Sequence, residues 1–261
     1  SGEKGMLWLE VSLPLEKSSL CSIQGGTACN IVAAQCEAVY MGQDAKPVRI
    51  SAVGKAAHAT VPDQGESAID AVMETLRGAV EDPLVRFYET YLSGTCHGEK
   101  LGIDFADEAS GRTTVCIGMV RTTAEEITMT LDIRYSVTAD GAVILANITG
   151  AVKACGLKMK ILKNAAPLYR GKDHPVLQQV LAAYREETGD LSEPIVIGGG
   201  TYARGIANIV GFGAAFPGRI HTEHQSDEYL ELADFYLQRR IYRKAMLRLL
   251  NIDRAMTTQQ G

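Results

Sequence analysis

The sequence predicts a two-part fold: an α+β domain of ferredoxin-like type over residues 1–166, followed by an α/β segment over residues 167–261. Two observations predict this class. The first part runs strand, helix, two strands, helix, strand, which is the order of split βαβ units with helices on one face of a sheet. The second part places short, wholly apolar strands between helices, which is typical of a sheet covered on both faces. The boundary is expected near residues 163–171.

Three strands and one helix are predicted before residue 54. Apolar and polar residues alternate over 6–13, 19–24 and 48–53, which is the pattern of a half-buried strand. Breaks at Gly25-Gly26 and Met41-Gly42 separate these strands. The segment between the breaks, residues 31–40, is predicted to form a short helix.

The rest of the first part is predicted to contain two helices, a hairpin, a third helix and a last strand. Apolar residues recur at helical spacing in the first helix, and Asp82 followed by Pro83 is typical of the start of the second. Gly156 is placed to end the third helix. The predicted ranges are 66–80 and 83–92 for the first two helices, 113–120 and 125–135 for the hairpin, 139–155 for the third helix, and 157–162 for the strand.

The second part is predicted to consist of two helices with two short strands between them. The last helix interleaves apolar residues with Gln238-Arg239-Arg240, which favours an amphipathic packing helix. The predicted ranges are 175–187 and 232–250 for the helices, and 194–197 and 208–215 for the strands.

Composition excludes several classes of protein. The net charge of −5 disfavours nucleic acid or an anionic membrane as a partner. No apolar run approaches the roughly 20 residues that a membrane-spanning helix needs, and no signal peptide opens the chain. The six cysteines stand singly, without a Cys-x-x-Cys pair, so they are expected to be reduced, in a cytoplasmic protein.

Five segments carry residues suited to chemistry. In chain order they are Gly25-Gly-Thr-Ala-Cys-Asn30, Gly54-Lys-Ala-Ala-His-Ala-Thr-Val-Pro-Asp63, Leu131-Asp-Ile-Arg-Tyr135, Gly198-Gly-Gly-Thr-Tyr-Ala-Arg204 and His221-Thr-Glu-His224-Gln-Ser-Asp-Glu-Tyr229. In order and approximate spacing they resemble the zinc metallopeptidase superfamily of aminoacylases and glutamate carboxypeptidases. The resemblance is strongest to the bacterial Xaa-His dipeptidases of the PepV type, and it covers nearly the whole chain.

The resemblance implies a metal ligand near the end of the chain and a catalytic histidine in its first quarter. His224, with Glu228 four residues on, matches the last metal ligand of the family, whereas an isolated histidine would more simply be a solvated loop residue. His58 matches the lid histidine that donates a hydrogen bond to the substrate carbonyl as it becomes an oxyanion. The alternative for His58 is a histidine packed at a strand end, and His221 is interpreted as a surface residue.

The resemblance also implies residues that bind the substrate. Asn30 matches an asparagine that fixes substrate near the metals, although a helix N-cap is its ordinary alternative. Arg134 matches the residue that grips the substrate's free carboxylate, and a salt bridge to a neighbouring acid is the alternative. The amides of Gly199 and Gly200 with Thr201 are expected to form an anion-binding nest for that same end of the peptide.

The chain departs from the family in its metal ligands. A peptidase of this family holds two zinc ions with two histidines and three acids, and it uses a glutamate as general base. No His-x-Asp segment is present, and the Glu125-Glu126 pair lies in a predicted strand turn. The resemblance therefore implies a truncated form that lacks the N-terminal metal-binding lobe. Gly54 follows Asn30 by only 24 positions, so the lid, residues 1–166, is expected to be abridged.

The function expected from the resemblance is zinc-dependent hydrolysis of dipeptides, with this chain alone inactive because a single histidine holds zinc too weakly. A deacylase or carboxypeptidase of the same superfamily is one alternative, and a non-catalytic lid or oligomerisation module is another. Because a lone lobe exposes sheet edge and apolar surface, the partners expected besides a dipeptide are a second copy of the chain, as a homodimer, or the missing N-terminal lobe.

Overall fold

A computed structural model gives the fold of residues 1–206, 209–213, 216–220 and 227–258, with side chains described through residue 251. The chain divides into two compact units. The first comprises Glu3–Leu168 with Ile197–Gly200, and the second comprises Ser1–Gly2, Tyr169–Val196 and Thr201–Gly261. The assignment of residues 1–166 as a lid and 167–261 as part of a catalytic domain stays a prediction.

The first unit is built on a seven-stranded sheet in which every pair of neighbours is antiparallel. The order across the sheet is β7-β1-β6-β5-β2-β3-β4. The strands are β1 Gly5–Pro14, β2 Leu20–Gly25, β3 Gln35–Met41, β4 Pro47–Val53, β5 Thr114–Thr122, β6 Glu126–Tyr135 and β7 Lys158–Ala165.

Four of these strands confirm the ferredoxin-like α+β class. Taken in chain order, β1, β5, β6 and β7 are the first to fourth strands of a split βαβ motif, and they lie in the order fourth, first, third, second. Helices α1 (Ala68–Arg77) and α2 (Pro83–Phe87) connect the first two strands, and α3 (Gly141–Ala154) connects the last two.

The two faces of the sheet have different roles. Alternate residues of β1 and β6, such as Leu9, Val11 and Leu131, form one hydrophobic core with the buried sides of the helices. Because successive side chains of a strand point to opposite faces, Asp132 and Arg134 of β6 and Thr114 of β5 belong to the other face. That face carries the candidate site.

The predicted helix over residues 31–40 is wrong, because this segment contains strand β3. Gln35–Met41 pairs with β2 on one side and with β4 on the other. Cys36 and Ala38 are buried while Gln35 and Glu37 are exposed, which is the period of two that a strand requires. The ladders on both sides satisfy the backbone polar groups of this segment, and that tertiary pairing outweighs the local pattern.

The other three predicted helices of the first part are confirmed, with local signals at their ends. Asp82 caps α2, since its carboxylate accepts hydrogen bonds from the N–H groups of Leu84 at 2.8 Å and Val85 at 3.3 Å. A π-helical turn, Tyr88–Leu92, continues α2. After α3, Gly156 has a φ of 71°, the left-handed conformation that ends many helices.

The second unit contains α4 (Pro175–Thr188) and α5 (Leu232–Thr258), which confirm the two predicted helices. Buried residues such as Leu177, Val180 and Ala245 form their shared core. The strand predicted over 194–197 is reduced to Val196–Ile197. Of the strand predicted over 208–215, residues 208, 214 and 215 lie outside the described part, and residues 209–213 are not in a strand.

The remaining short elements are the two-residue strands Gly2–Glu3, Ala106–Asp107, Gly111–Arg112 and Leu168–Tyr169, and the 3-10 turns Leu15–Lys17, Pro62–Gln64 and Tyr202–Gly205. Among the helices that the structure describes, none combines the length and the apolar character needed to cross a bilayer.

Candidate functional site

Asn30 and His58 are brought together by a short pairing of two loop segments. The N–H of Ala59 donates to the Asn30 carbonyl at 2.9 Å, and the N–H of Val32 donates to the Ala57 carbonyl at 2.8 Å. Through this pairing Asn30 Nδ2 lies 3.4 Å from His58 Nε2. Two residues that the sequence separates by 28 positions therefore present their side chains to one point.

Thr60 controls the other side of the His58 ring. The backbone N–H of Thr60 donates to His58 Nδ1 at 3.2 Å, and Thr60 Oγ1 lies 2.8 Å from the same nitrogen. A backbone N–H can only donate, so this contact favours the tautomer of the neutral ring in which Nδ1 is unprotonated. The 3.4 Å contact with Asn30 fits that tautomer when the amide presents its oxygen to Nε2, an orientation that exchanges the positions of Oδ1 and Nδ2.

The His58 segment is anchored to the face of the sheet opposite the helices. Thr114 Oγ1 donates to the Ala59 carbonyl at 3.0 Å, and Thr114 is directly opposite Arg134 in the β5–β6 register. The Asn30 segment packs on the same strand. A Cβ added to Gly118 would lie 2.0 Å from the Cys29 carbonyl oxygen, so this approach requires glycine.

Arg134 is held by a carboxylate that sequence reasoning did not select as a site residue. Arg134 Nε donates to Asp132 Oδ1 at 2.6 Å, and Nη2 donates to Oδ2 at 2.7 Å. The side chains are 2% and 0% exposed. This is the salt bridge that the sequence left open as an alternative. The sequence does contain a signal for Asp132: residues two apart in a strand lie on the same face, and Asp132 and Arg134 have this spacing.

Gly198 connects Arg134 to the histidine segment. Arg134 Nη1 donates to the Gly198 carbonyl at 2.7 Å. A Cβ added to Gly198 would lie 2.4 Å from Thr60 Cγ2, so the Gly198 backbone rests against the Thr60 methyl group. A continuous set of contacts thus runs from Arg134 through Gly198 and Thr60 to His58 and Asn30.

Gly200 and Thr201 are described, but an anion-binding role for them stays a prediction. Thr201 Oγ1 accepts a hydrogen bond from the Ala203 N–H at 3.1 Å and caps the Tyr202–Gly205 turn. The turn is four residues long, so the helix expected after the glycine run is only a single 3-10 turn. Gly200 belongs to the first unit and Thr201 to the second.

The predicted metal ligand, His224, lies outside the described residues, as does His221. Within the described part of the chain, no group of three or more His, Cys, Asp or Glu side chains is arranged to hold a metal ion. The described side chains alone therefore do not form a zinc site.

Burial shifts the ionisation of two groups close to the site. Burial, with the nearby Asp132 carboxylate, raises the pKa of the Cys29 thiol to about 12, so this residue next to Asn30 is a neutral thiol. Burial also lowers the pKa of Lys4, against the opposing effect of Asp107. Lys4 Nζ donates to the Arg112 carbonyl at 2.5 Å.

Comparisons with known proteins find similarity to bacterial proteins that carry the name dipeptidase. It is 29% identical over 284 residues to "Putative dipeptidase YtjP" of Bacillus subtilis, covering 95% of this chain and 61% of that protein. It is 32% identical over 201 residues to "Putative dipeptidase SSP1012" of Staphylococcus saprophyticus, covering 75% of this chain and 43% of that protein. The chain therefore spans about half the length of these curated relatives. No protein-family model matches it.

Two solved structures resemble the chain at lower identity. An aminoacylhistidine dipeptidase from Vibrio alginolyticus has a TM-score of 0.46 at 10% identity, over 77% of this chain and 52% of the other. The M20 family metallo-carboxypeptidase Sso-CP2 from Sulfolobus solfataricus has a TM-score of 0.49 at 14% identity, over 96% of this chain and 59% of the other.

Proposed function

We propose that this chain is the lid and C-terminal part of a metal-dependent dipeptidase of the M20 type, within the zinc aminoacylase and glutamate carboxypeptidase superfamily. Its relationship to the two dipeptidase-named proteins supports the dipeptidase assignment. The motif order from Asn30 to His224 supports the narrower assignment to the PepV-type Xaa-His dipeptidases.

The observation that carries the proposal is the connected set of contacts at the candidate site. Asn30, His58, Arg134 and Gly198 come from four distant parts of the sequence, and hydrogen bonds and packing through Thr60 join them. A purely structural role explains each contact separately. A substrate-binding role explains why an amide, an imidazole and a guanidinium occur together on the face of the sheet opposite α1, α2 and α3.

The proposed chemistry of these residues is binding and oxyanion stabilisation. The Nε2–H of His58 donates to the scissile carbonyl oxygen as negative charge develops on it, and this interaction strengthens toward the transition state. The Asn30 amide orients the same carbonyl. A guanidinium has five N–H groups. Asp132 and Gly198 take three of those of Arg134, and the other two are the groups proposed to bind the carboxylate end of a dipeptide.

Metal binding in this proposal depends on residues beyond the described site. The family resemblance implies two zinc ions, and only His224 of this chain matches a ligand. The described residues do not supply a metal site by themselves, so the metal would be held with ligands from outside them. A single histidine ligand retains zinc poorly, so the chain alone is expected to bind zinc weakly and to be inactive.

A direct test compares the chain with a longer protein that includes the coding sequence upstream of Ser1. Zinc affinity is measured by isothermal titration, and release of free amino acids is measured with Xaa-His dipeptides, other dipeptides and N-acyl amino acids. We expect zinc-dependent dipeptide hydrolysis by the longer protein and none by the chain. Turnover by the chain contradicts its proposed inactivity, and a preference for N-acyl amino acids favours the deacylase alternative.

A non-catalytic lid or oligomerisation module is the second candidate, and one observation favours it. Strand β4 lies at the edge of the sheet, and its Val53 is 83% exposed. Light scattering after size exclusion distinguishes a homodimer from a monomer, and addition of the separately expressed upstream segment tests pairing with a missing lobe. If neither the chain nor the longer protein hydrolyses any of the substrates, the non-catalytic module is the favoured candidate.

The proposed location is the cytoplasm. All six cysteines are free thiols in the structure, as expected in a reducing compartment.

A further inference from the structure

We propose that Thr60 is a positioning residue for His58: its backbone N–H selects the tautomer with the proton on Nε2, and its hydroxyl holds the ring in place. The purpose of this arrangement rests on the proposed function, because a hydrogen bond to an oxyanion requires a proton on Nε2. Its geometry rests only on the described contacts.

The tautomer follows from the turn in which His58 lies. The Val61 N–H donates to the His58 carbonyl at 2.9 Å, closing a four-residue turn from His58 to Val61. In such a turn the N–H of the third residue, Thr60, points toward the side chain of the first, as in turns that begin with Asn or Asp. Here Nδ1 of the imidazole accepts that N–H at 3.2 Å. A proton on Nδ1 would face the Thr60 N–H and prevent this hydrogen bond.

The hydroxyl of Thr60 has a different effect from its N–H. Oγ1 lies 2.8 Å from Nδ1 and can donate or accept, so it holds the ring in either tautomer and selects neither. His58 is an exposed residue, and hydrogen bonds at Nδ1 contribute to the orientation of its ring.

Gly198 packs against the methyl group of Thr60. A Cβ at this position would lie 2.4 Å from Thr60 Cγ2 and 2.8 Å from Thr60 Cβ, closer than real Cβ contacts. Arg134 holds the same glycine through its carbonyl. The chain offers a matched control, because among the described residues a Cβ added at Gly199 meets only Ile197 Cδ1, at 3.9 Å.

Nuclear magnetic resonance of the isotope-labelled chain tests the proposal without an activity assay. Long-range proton–nitrogen correlations identify the protonated ring nitrogen, and a coupling across the hydrogen bond reports the contact from Thr60 N to His58 Nδ1. We expect protonated Nε2, unprotonated Nδ1 and a measurable coupling in the neutral ring. A protonated Nδ1, or no coupling in the well-folded chain, overturns the proposal.

Four substitutions then separate the contributions of the Thr60 hydroxyl and of Gly198. Thr60→Ser keeps the hydroxyl and should preserve the coupling. Thr60→Val keeps the shape of the side chain but loses the hydroxyl. It should lower the ratio of His58 rings hydrogen-bonded at Nδ1 to rings that are not by roughly 2- to 13-fold, the effect of one hydrogen bond. Gly198→Ala should weaken the coupling as well, and Gly199→Ala should leave it unchanged. Equal spectra for Thr60→Val and Thr60→Ser contradict the role of the hydroxyl. If the longer protein hydrolyses no dipeptide while these spectra behave as expected, the proposed function fails and the positioning role stands.

Discussion

Replacing Asp132 with alanine should leave the Arg134 guanidinium buried without its counter-charge. The two side chains are 0% and 2% exposed, and two hydrogen bonds of 2.6 and 2.7 Å join them. Removing one partner of such a buried pair costs about 3–5 kcal/mol, because the remaining charge keeps its desolvation penalty. The Gly198 carbonyl still accepts one N–H, but it supplies no charge. We therefore expect Asp132→Ala to lower the free energy of unfolding by about 3–5 kcal/mol.

The assay is urea denaturation followed by tryptophan fluorescence and circular dichroism. The chain has one tryptophan, Trp8, and it stands directly opposite Asp132 in the β1–β6 register. Its fluorescence therefore reports on unfolding of the sheet that carries the pair. The change in transition midpoint, at constant slope, gives the loss of stability.

Two controls make the prediction specific to burial. The double substitution Asp132→Leu with Arg134→Met removes both charges. It should therefore lower the free energy of unfolding much less than Asp132→Ala does. Arg49→Gln removes an exposed ion pair with Glu37, whose side chains are 69% and 54% exposed, and should cost about 0–1 kcal/mol. A loss below about 1 kcal/mol for Asp132→Ala, equal to that of Arg49→Gln, would refute the reasoning.

Three further predictions concern other parts of the first unit. Gly118→Ala forces a Cβ against a backbone carbonyl and should cost about 1–3 kcal/mol in urea denaturation, whereas Gly150→Ala, in open space on α3, should stabilise by about 0.5–1 kcal/mol. Burial raises the pKa of Asp107, but hydrogen bonds from Ser110 and Thr138 outweigh it, and the folded pKa lies below the ordinary value of 3.8. The Asp107 carboxylate therefore stabilises the fold above pH 3.8, and this stabilisation is lost as the pH falls through the folded pKa. Asp107→Asn should therefore shrink the difference in urea midpoint between pH 6 and pH 3, and an unchanged difference would contradict this. A thiol reagent at neutral pH should modify exposed Cys21 first, because burial raises the pKa of Cys29; modification of Cys29 at the same rate would be the contrary result.

Local signals explain the parts of the fold that the sequence predicts correctly. The Asp82-Pro83 start of α2 and Gly156 after α3 act through the hydrogen bonds and backbone angles of adjacent residues. The alternation in β1 and β6 reflects one buried face of each strand. Because these signals depend on neighbours in the chain, they can be interpreted without knowledge of the tertiary structure.

The incorrect prediction of a helix over 31–40 shows that local signals do not determine a segment whose hydrogen bonds come from distant strands. Strand β3 gains its backbone hydrogen bonds from β2 and β4, and these partners are specified by the whole sheet rather than by the segment itself. The three-strand extension β2–β4 similarly follows from pairing between β2 and β5, in which Gln24 lies opposite Arg121.

The residue types of the candidate site could be predicted from the sequence, but the contacts between them could not. The motifs select Asn30, His58 and Arg134, and their roles as substrate-binding and catalytic residues stay predictions. Thr60 and Gly198 are 138 positions apart, so no local pattern indicates that they touch. Asp132 was accessible from its spacing of two to Arg134, although the spacing alone does not distinguish a buried pair from two solvated charges.

The contact between Thr60 and Gly198 is the link on which the assembled site depends, because it joins the part with Asn30 and His58 to the part with Arg134. Nuclear Overhauser effects between the Thr60 methyl protons and the Gly198 α protons measure it directly in the chain in solution. A strong effect is predicted from the 2.4 Å separation between Thr60 Cγ2 and a Cβ built on Gly198. Its absence in a well-folded sample, with both resonances assigned, would mean that these residues do not form one site.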